Sequence, residues 1–133
     1  MSVVDASVVV DALVGVGPQG QAAEHALQTQ PALDAPALLK AEALSVLRRA
    51  EAGGDITQSV ARDALDQLAR LGVRPHPVDP FLERMWELRS NLSAYDAWYV
   101  ALAERLGTNL LTTDQRLAAA PGPHCPIEVV GSD

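Results

Sequence analysis

Four acidic residues are spaced so that one site could bring their carboxylates together: Asp5, Glu42, Asp96 and Asp114. Asp5 ends the apolar run that begins at Val3, and Asp114 follows the run that begins at Leu110, so both should lie at the carboxyl ends of strands. Ligands bind at that edge of an open α/β sheet, because loops and helix N-termini converge there. Carboxylates gathered in one cleft repel one another until a cation binds. Hard oxygen ligands without His or Cys favour Mg²⁺ or Mn²⁺, so the pattern predicts a site for one of these metals.

Chain geometry predicts that Asp96 and Asp114 return to the same end of the molecule. A helix over residues 93–106 advances about 20 Å at about 1.5 Å per residue. Residues 109–114 return about 17 Å at about 3.3 Å per residue. Asp5 joins the two other aspartates if the first and fourth strands lie side by side and parallel. Glu42 borders the apolar stripe of its helix and can point inward.

Each acid also has a structural interpretation. Asp5 and Asp114 can act as helix N-caps, and Asp96 occupies the third helical position after Ser93, as in a capping box. Glu42 can be an exposed helix residue. Taken singly, each acid is more often structural than catalytic. Their convergence at one sheet edge is what favours a metal site.

The elements that would position these acids alternate along the chain. Apolar patterning and turn residues predict strands over residues 2–5, 33–35, 73–78, 109–112 and 127–130. They predict helices over residues 6–14, 19–28, 36–52, 57–72, 79–89, 93–106 and 114–120, with Pro36 in the first turn of the third. Two prolines place the strand over residues 73–78 at or near a sheet edge. The alternation indicates an α/β fold with a mostly parallel sheet covered on both faces.

Size and composition predict a single domain over residues 1–133. No apolar run approaches the length of a membrane span, and a lone cysteine, Cys125, cannot form an internal disulfide. We therefore expect a soluble, cytoplasmic protein. The 17 acids and 10 bases give a net charge of -7, which opposes nucleic-acid binding if it is spread evenly. Lys40 is the only lysine, so the other bases are arginines, which grip phosphate in a bidentate fork.

Six segments together resemble the PIN-domain nucleases, and most closely the VapC-type toxins of bacterial toxin-antitoxin pairs. They are residues 3–7 (VVDAS), 41–43 (AEA), 46–49 (VLRR), 92–97 (LSAYDA), 99–103 (YVALA) and 111–114 (LTTD). The resemblance covers essentially the whole chain. It implies a three-layer α/β/α sandwich and a metal-dependent endoribonuclease whose acidic quartet is Asp5, Glu42, Asp96 and Asp114. Thr112 would be a supporting hydroxyl.

On this resemblance, Asp5, Asp96 and Asp114 bind Mg²⁺ or Mn²⁺ directly, and Glu42 holds a second ion or orients the attacking water. Attack on phosphorus in line leaves 5′-phosphate and 3′-hydroxyl ends. The resemblance also implies three kinds of partner: an RNA substrate, a VapB-type antitoxin whose C-terminal tail blocks the site, and a second copy of the chain in a homodimer.

Two arginines, Arg89 and Arg116, are the best sequence candidates for contacts with RNA, because they should lie nearer the acidic edge. Arg48 and Arg49 are adjacent on a helix, where a basic pair more often forms a solvated face. Tyr99 falls on the apolar stripe of its helix and is assigned to the core.

Other enzymes with an aspartate after the first strand are excluded by particular residues. A haloacid dehalogenase-type phosphohydrolase needs a second acid at position 7, where this chain has Ser7. A receiver domain needs a late lysine, and Lys40 comes too early. Two alternatives remain: a catalytically silent PIN-fold module that binds protein, and a PIN nuclease of RNA processing outside any toxin system.

Overall fold

A computed structural model describes residues 1–131 and places five short strands in one sheet. The strands are β1 (Ser2–Val4), β2 (Leu33–Pro36), β3 (Arg74–His76), β4 (Leu110–Thr112) and β5 (Ile127–Val129). Their order is β3-β2-β1-β4-β5, and each neighbouring pair is parallel. The carboxyl ends of all five strands therefore lie along one edge of the sheet.

Helices flank this sheet. They are α1 (Ala6–Val14), α2 (Gly17–Gln28), α3 (Leu39–Ala52), α4 (Gln58–Arg70), α5 (Leu82–Glu87), α6 (Ala94–Leu106) and α7 (Gln115–Ala119), with a 3₁₀ turn over Asp79–Phe81. Helix α1 packs against α2, α3 and α4, while α6 packs against β1, β2 and α5. The predicted α/β fold with a central parallel sheet is confirmed, and the sheet is parallel throughout.

The central strands are buried on both faces, as expected for a parallel sheet between helices. Val3 and Val4 of β1 and Leu110 of β4 have no exposed surface, and Leu111 is almost as deeply buried. Val3 pairs with Leu110 and Val4 with Leu111, which confirms that the first and fourth strands are parallel neighbours. Apolar side chains at consecutive positions thus fix the two strands that carry the candidate site.

The third helix begins later than predicted. Pro36 is the last residue of β2, paired with His76, and α3 starts at Leu39. The residue before a proline is biased toward extended backbone, so Ala35 favours continuation of the strand. The Ala37 N–H then donates to the His76 carbonyl at 2.9 Å, which prolongs the ladder past the proline. The prediction that Pro36 occupies the first turn of this helix was wrong.

Other boundaries differ by a few residues. The predicted helix over residues 79–89 is a 3₁₀ turn followed by α5, which ends at Glu87. Strand β3 is confirmed at the sheet edge, where Pro75 needs no ladder N–H. Helix α6 ends at Leu106, and the φ of 65° at Gly107 is the left-handed conformation that turns the chain toward β4. Within residues 1–131, no helix has both the length and the apolar character to cross a bilayer.

An ionic cluster holds the edge strand β3 to β2. The Asp34 carboxylate has no exposed surface, and its Oδ1 accepts hydrogen bonds from Arg74 Nε at 2.7 Å and His76 Nε2 at 2.8 Å. Burial opposes ionisation of Asp34, but the bonds from His76 and Arg74 outweigh it and place its pKa below the ordinary 3.8. The cluster supplies cross-strand stabilisation that a three-residue strand with a proline lacks.

We expect Asp34→Asn to lower the free energy of unfolding by about 1–3 kcal/mol near neutral pH, because two hydrogen bonds lose their buried, charged acceptor. A lowered carboxyl pKa stabilises the folded state above the unfolded value and loses this effect as pH falls through the folded value. The difference in free energy of unfolding between wild type and Asp34→Asn should therefore become smaller below pH 3.8. Urea denaturation across acid pH measures it.

Asp66→Asn is the control for the Asp34 variant. It removes a solvent-exposed i,i+4 partner of Arg62 on α4. Loss of an exposed ion pair should lower the free energy of unfolding far less than loss of the buried one. An equal loss of stability in both variants would contradict the role given to the buried cluster.

Candidate metal centre and active site

Asp5 is fixed at the end of β1 by backbone and side-chain contacts. Its N–H donates to the Leu111 carbonyl at 2.9 Å, which continues the β1–β4 ladder. It occupies the N-cap position of α1 but makes no side-chain cap bond. Its Oδ2 instead accepts hydrogen bonds from Thr112 Oγ1 at 2.7 Å and Ser7 Oγ at 3.2 Å. The capping interpretation of the Asp5 carboxylate is therefore not supported.

The same two hydroxyls also accept bonds from the chain that leads to Asp114. Thr112 Oγ1 accepts from the Asp114 N–H at 3.1 Å, and Ser7 Oγ accepts from the Thr113 N–H at 3.2 Å. Each hydroxyl thus binds the Asp5 carboxylate and the β4–α7 turn together. Thr112 has no exposed surface, so these bonds form away from bulk water. Thr112 therefore joins Asp5 to the turn before Asp114, and its supporting role in catalysis stays a prediction, whereas sequence reasoning gave Ser7 no such role.

Asp114 has a structural contact as well as a place in the site. Its Oδ1 accepts from the Arg116 and Leu117 N–H groups at 2.9 and 3.4 Å, which caps α7. The other acid that begins a helix, Asp96, donates its N–H to Ser93 Oγ at 3.2 Å. Helix capping therefore orients both residues, and the Ser93 side chain also bonds the Asp96 carboxylate.

Glu42 is held by a buried tyrosine. Tyr99 O–H donates to Glu42 Oε1 at 2.8 Å, and the Tyr99 side chain is 1% exposed. The core assignment of Tyr99 is thus correct but incomplete, because its hydroxyl reaches the acidic site. Two signals in the sequence could have indicated this: Tyr99 follows Asp96 by three residues on one helix, and a buried tyrosine usually needs a hydrogen-bond partner.

All four predicted acids line one cleft at the carboxyl edge of the sheet. The cleft has a volume of ≈ 580 Å³, and α1 and α3 supply the rest of its wall. Its lining residues are Asp5, Ala6, Ser7, Val10, Asp11, Glu42, Ser45, Val46, Arg49, Asp96 and Asp114. The predicted convergence of Asp5, Asp96 and Asp114 is therefore found, with Glu42 pointing into the same space.

Burial and mutual repulsion act on these carboxylates. Burial raises the pKa of Asp5 above its ordinary value, against the hydrogen bonds from Thr112 and Ser7. Burial likewise raises the pKa of Glu42, and the charges of Asp5 and Asp96 raise it further. For Asp96, burial and the charge of Asp5 are the two largest causes of a raised pKa. The ionised cluster is thus an unfavourable arrangement that a cation would relieve.

The donor set suits a hydrated hard cation. Within residues 1–131, no three His, Cys, Asp or Glu side chains form a group that could hold a metal ion. Simultaneous direct ligation by Asp5, Asp96 and Asp114 therefore stays a prediction. Mg²⁺ usually keeps several waters and uses only one or two carboxylates, together with substrate phosphates. An open cleft of ≈ 580 Å³ walled by oxygen donors fits that mode of binding.

The candidate arginines are placed differently from one another. Arg116 lines a depression adjoining the acids, and its side chain is 95% exposed. Arg89 instead stacks 4.3 Å from the Trp86 ring centroid and donates to the Trp86 carbonyl at 2.8 Å. Arg49 lines the acidic cleft, although its sequence context favoured a solvated face.

Comparison with known proteins agrees with this arrangement. The model of the PIN domain family matches residues 2–123. Ribonuclease VapC1 of Mycobacterium tuberculosis is 46% identical over 129 residues, covering 96% of each chain. The structure of M. tuberculosis VapC20, a sarcin-ricin loop cleaving toxin, superposes with a TM-score of 0.69 at 19% identity, covering 90% of this chain and 94% of that one.

A second solved structure has the same fold. VapBC2 from Rickettsia felis, bound to a DNA fragment from the promoter, has a TM-score of 0.65 at 12% identity and covers 97% of this chain and 98% of that one. With a family match across most of its length and a close full-length relative, the chain belongs to the PIN-domain family and, within it, to the VapC-type proteins.

Proposed function

We propose that this protein is a metal-dependent endoribonuclease and the toxin of a toxin-antitoxin pair, with residues 1–133 forming one PIN domain. The observation that carries the proposal is the convergence of four carboxylates in one cleft of a VapC-type fold. VapC1, which is similar along nearly the whole chain, is a ribonuclease by name. The reaction is hydrolysis of an RNA phosphodiester bond.

Asp5, Glu42, Asp96 and Asp114 would hold Mg²⁺ or Mn²⁺, in part through water. The ion, when bound, supplies positive charge to the phosphodiester and eases deprotonation of the attacking water. Two hydroxyls fix the Oδ2 atom of Asp5. The Tyr99 bond engages only one oxygen of Glu42, so this carboxylate can also orient water.

The proposed partners follow from the same family. We propose a VapB-type antitoxin as inhibitor and a homodimer as the working form. A VapB–VapC pair of this fold occurs in the Rickettsia felis complex, which supports the first partner. An antitoxin that places a basic side chain in the cleft would offset the raised energy of the clustered acids.

Cleavage of a labelled structured RNA in Mg²⁺, in Mn²⁺ and in EDTA tests the nuclease. Activity should require a divalent ion and should fall more than about a hundredfold in Asp96→Asn, because charge stabilisation by a metal contributes several kcal/mol. Asp63→Asn changes an exposed acid of α4 and should retain activity.

Two outcomes would contradict the proposal that this protein is a nuclease. Equal cleavage by wild type and Asp96→Asn would identify a contaminant. No cleavage by folded, antitoxin-free protein in either metal, on structured RNA or on total cellular RNA, would favour the silent protein-binding module.

Thr112→Val tests the hydroxyl that joins Asp5 to the Asp114 turn. We expect kcat to fall about 10- to 100-fold, the range found for groups that orient metal ligands, while Thr112→Ser retains most activity by restoring both hydrogen bonds. Single-turnover cleavage at saturating RNA measures this effect. Equal activity of the valine and serine variants would show that the hydroxyl is dispensable.

Glu42→Gln tests the electrostatics of the cluster without measuring activity. A raised carboxyl pKa means that the folded state loses stability as pH rises through the folded value. The variant should therefore raise the Tm of metal-free protein, by up to about 4 °C near neutral pH after solvent screening, and by less in acid. Added Mg²⁺ should stabilise wild type more than Glu42→Gln.

The matched control is Glu24→Gln, an exposed position on α2. It should change neither the Tm nor the response to Mg²⁺. A lower Tm in metal-free Glu42→Gln, or an undiminished response to Mg²⁺, would contradict the repulsive cluster.

A further inference from the structure

The acidic cleft continues into a second depression. The cleft extends from the acids toward α1 and α3, and we call the part lined by Ser45, Val46 and Arg49 the α3 arm. The second depression extends toward α7 and is lined by Asn91, Leu92, Ser93, Asp96, Asp114, Arg116, Leu117 and Ala120. We call this the α7 arm. Asp96 and Asp114 line both depressions, so the two arms adjoin at these acids and together form one groove.

Each arm carries an exposed arginine. In the α3 arm, Arg49 donates to Ser45 Oγ at 3.0 Å. In the α7 arm, Arg116 Nε lies 3.8 Å from Asp114 Oδ1, and its side chain is 95% exposed. Neither contact buries the guanidinium, so both can turn toward a ligand in the groove.

Several other arginines have partners elsewhere. Arg74 pairs with Asp34, and Arg84 forms two bonds with Glu104. Arg48, next to Arg49 in sequence, lines a separate groove between α3 and α4. A chain of net charge -7 thus has cations on both sides of its acidic centre.

We propose that a single RNA strand lies along this groove, with Arg49 and Arg116 binding backbone phosphates on opposite sides of the bond to be cut. The proposal rests on the nuclease function and adds the path of the substrate to it. Arginine suits this position because its planar fork matches phosphate oxygens.

Charge explains why two flanking arginines are needed. A bound cation offsets the acids only at the centre of the groove, while the neighbouring phosphates approach Asp96 and Asp114 from either side. Screening in physiological salt acts over about 8 Å, so a cation a short distance along each arm can oppose this repulsion locally. The overall negative charge then does not prevent RNA binding.

Salt-dependent binding tests the path without cleavage. Asp96→Asn protein in Mg²⁺ is titrated with a labelled mixed-sequence single-stranded RNA over a range of KCl concentrations. Each phosphate contact on a single strand contributes about 0.7 to the slope of log K against log salt. Arg49→Gln and Arg116→Gln should each reduce the slope by about 0.7 and the double variant by about 1.4, whereas Arg48→Gln should leave it unchanged.

Cleavage kinetics provide the second measurement, in protein that retains Asp96. Arg49→Gln and Arg116→Gln should each raise KM about two- to fivefold, the range for an exposed ionic contact, with kcat little changed. Arg48→Gln should match wild type. Equal Tm values among the three variants would exclude misfolding, since all three side chains are exposed.

The outcomes separate the two proposals. In one outcome, wild type cleaves RNA while Arg49→Gln and Arg116→Gln match Arg48→Gln in salt slope and KM. That result would contradict the strand path and leave the nuclease function supported. If only one arginine changes the slope, the two-sided path is also wrong. If wild type cleaves no RNA, the proposed nuclease function is wrong. An unchanged salt dependence of RNA binding in the arginine variants would then show that the proposed strand path is wrong as well.

Discussion

The parallel pairing of β1 with β4 is the constraint on which the candidate site depends. The register of Val4 with Leu111 brings Asp5 and Asp114 to the same edge of the sheet. Thr112 then joins them, because one buried hydroxyl donates to the Asp5 carboxylate and accepts the Asp114 N–H. A shift of one residue in this pairing would turn the Thr112 hydroxyl to the opposite face of the sheet and separate the acids.

The site concentrates charge that does not stabilise the fold. Burial raises the pKa values of Asp5, Glu42 and Asp96, so their ionisation near neutral pH works against folding. Apolar packing of the strands and the ionic cluster at Asp34 act in the opposite direction. Natural proteins commonly accept such local cost at functional sites. The same repulsion favours a cation or a basic inhibitor in the cleft.

The distribution of charge is more informative than its total. A net charge of -7 opposes RNA binding only if the acids are spread over the contact surface. Here the four predicted acids and Asp11 share one cleft, Arg49 lines the same cleft, and Arg116 lines the adjoining depression. Adjacent residues on α3 point to different grooves, since Arg48 lines the one between α3 and α4. Position on the helix therefore separates two arginines that look equivalent in sequence.

The sequence by itself indicated the α/β class, the parallel sheet and four acids that line the cleft. Strand and helix periodicity and strand-end position are local properties of the chain, so they can be read without the fold. It misplaced the start of α3, since the choice between strand and helix at Pro36 depends on pairing with His76. Only tertiary structure assigned Ser7 and Tyr99 to the acids and separated Arg49 from Arg48. Those assignments depend on which side chains meet across elements far apart in sequence, as when Tyr99 reaches Glu42 over 57 positions.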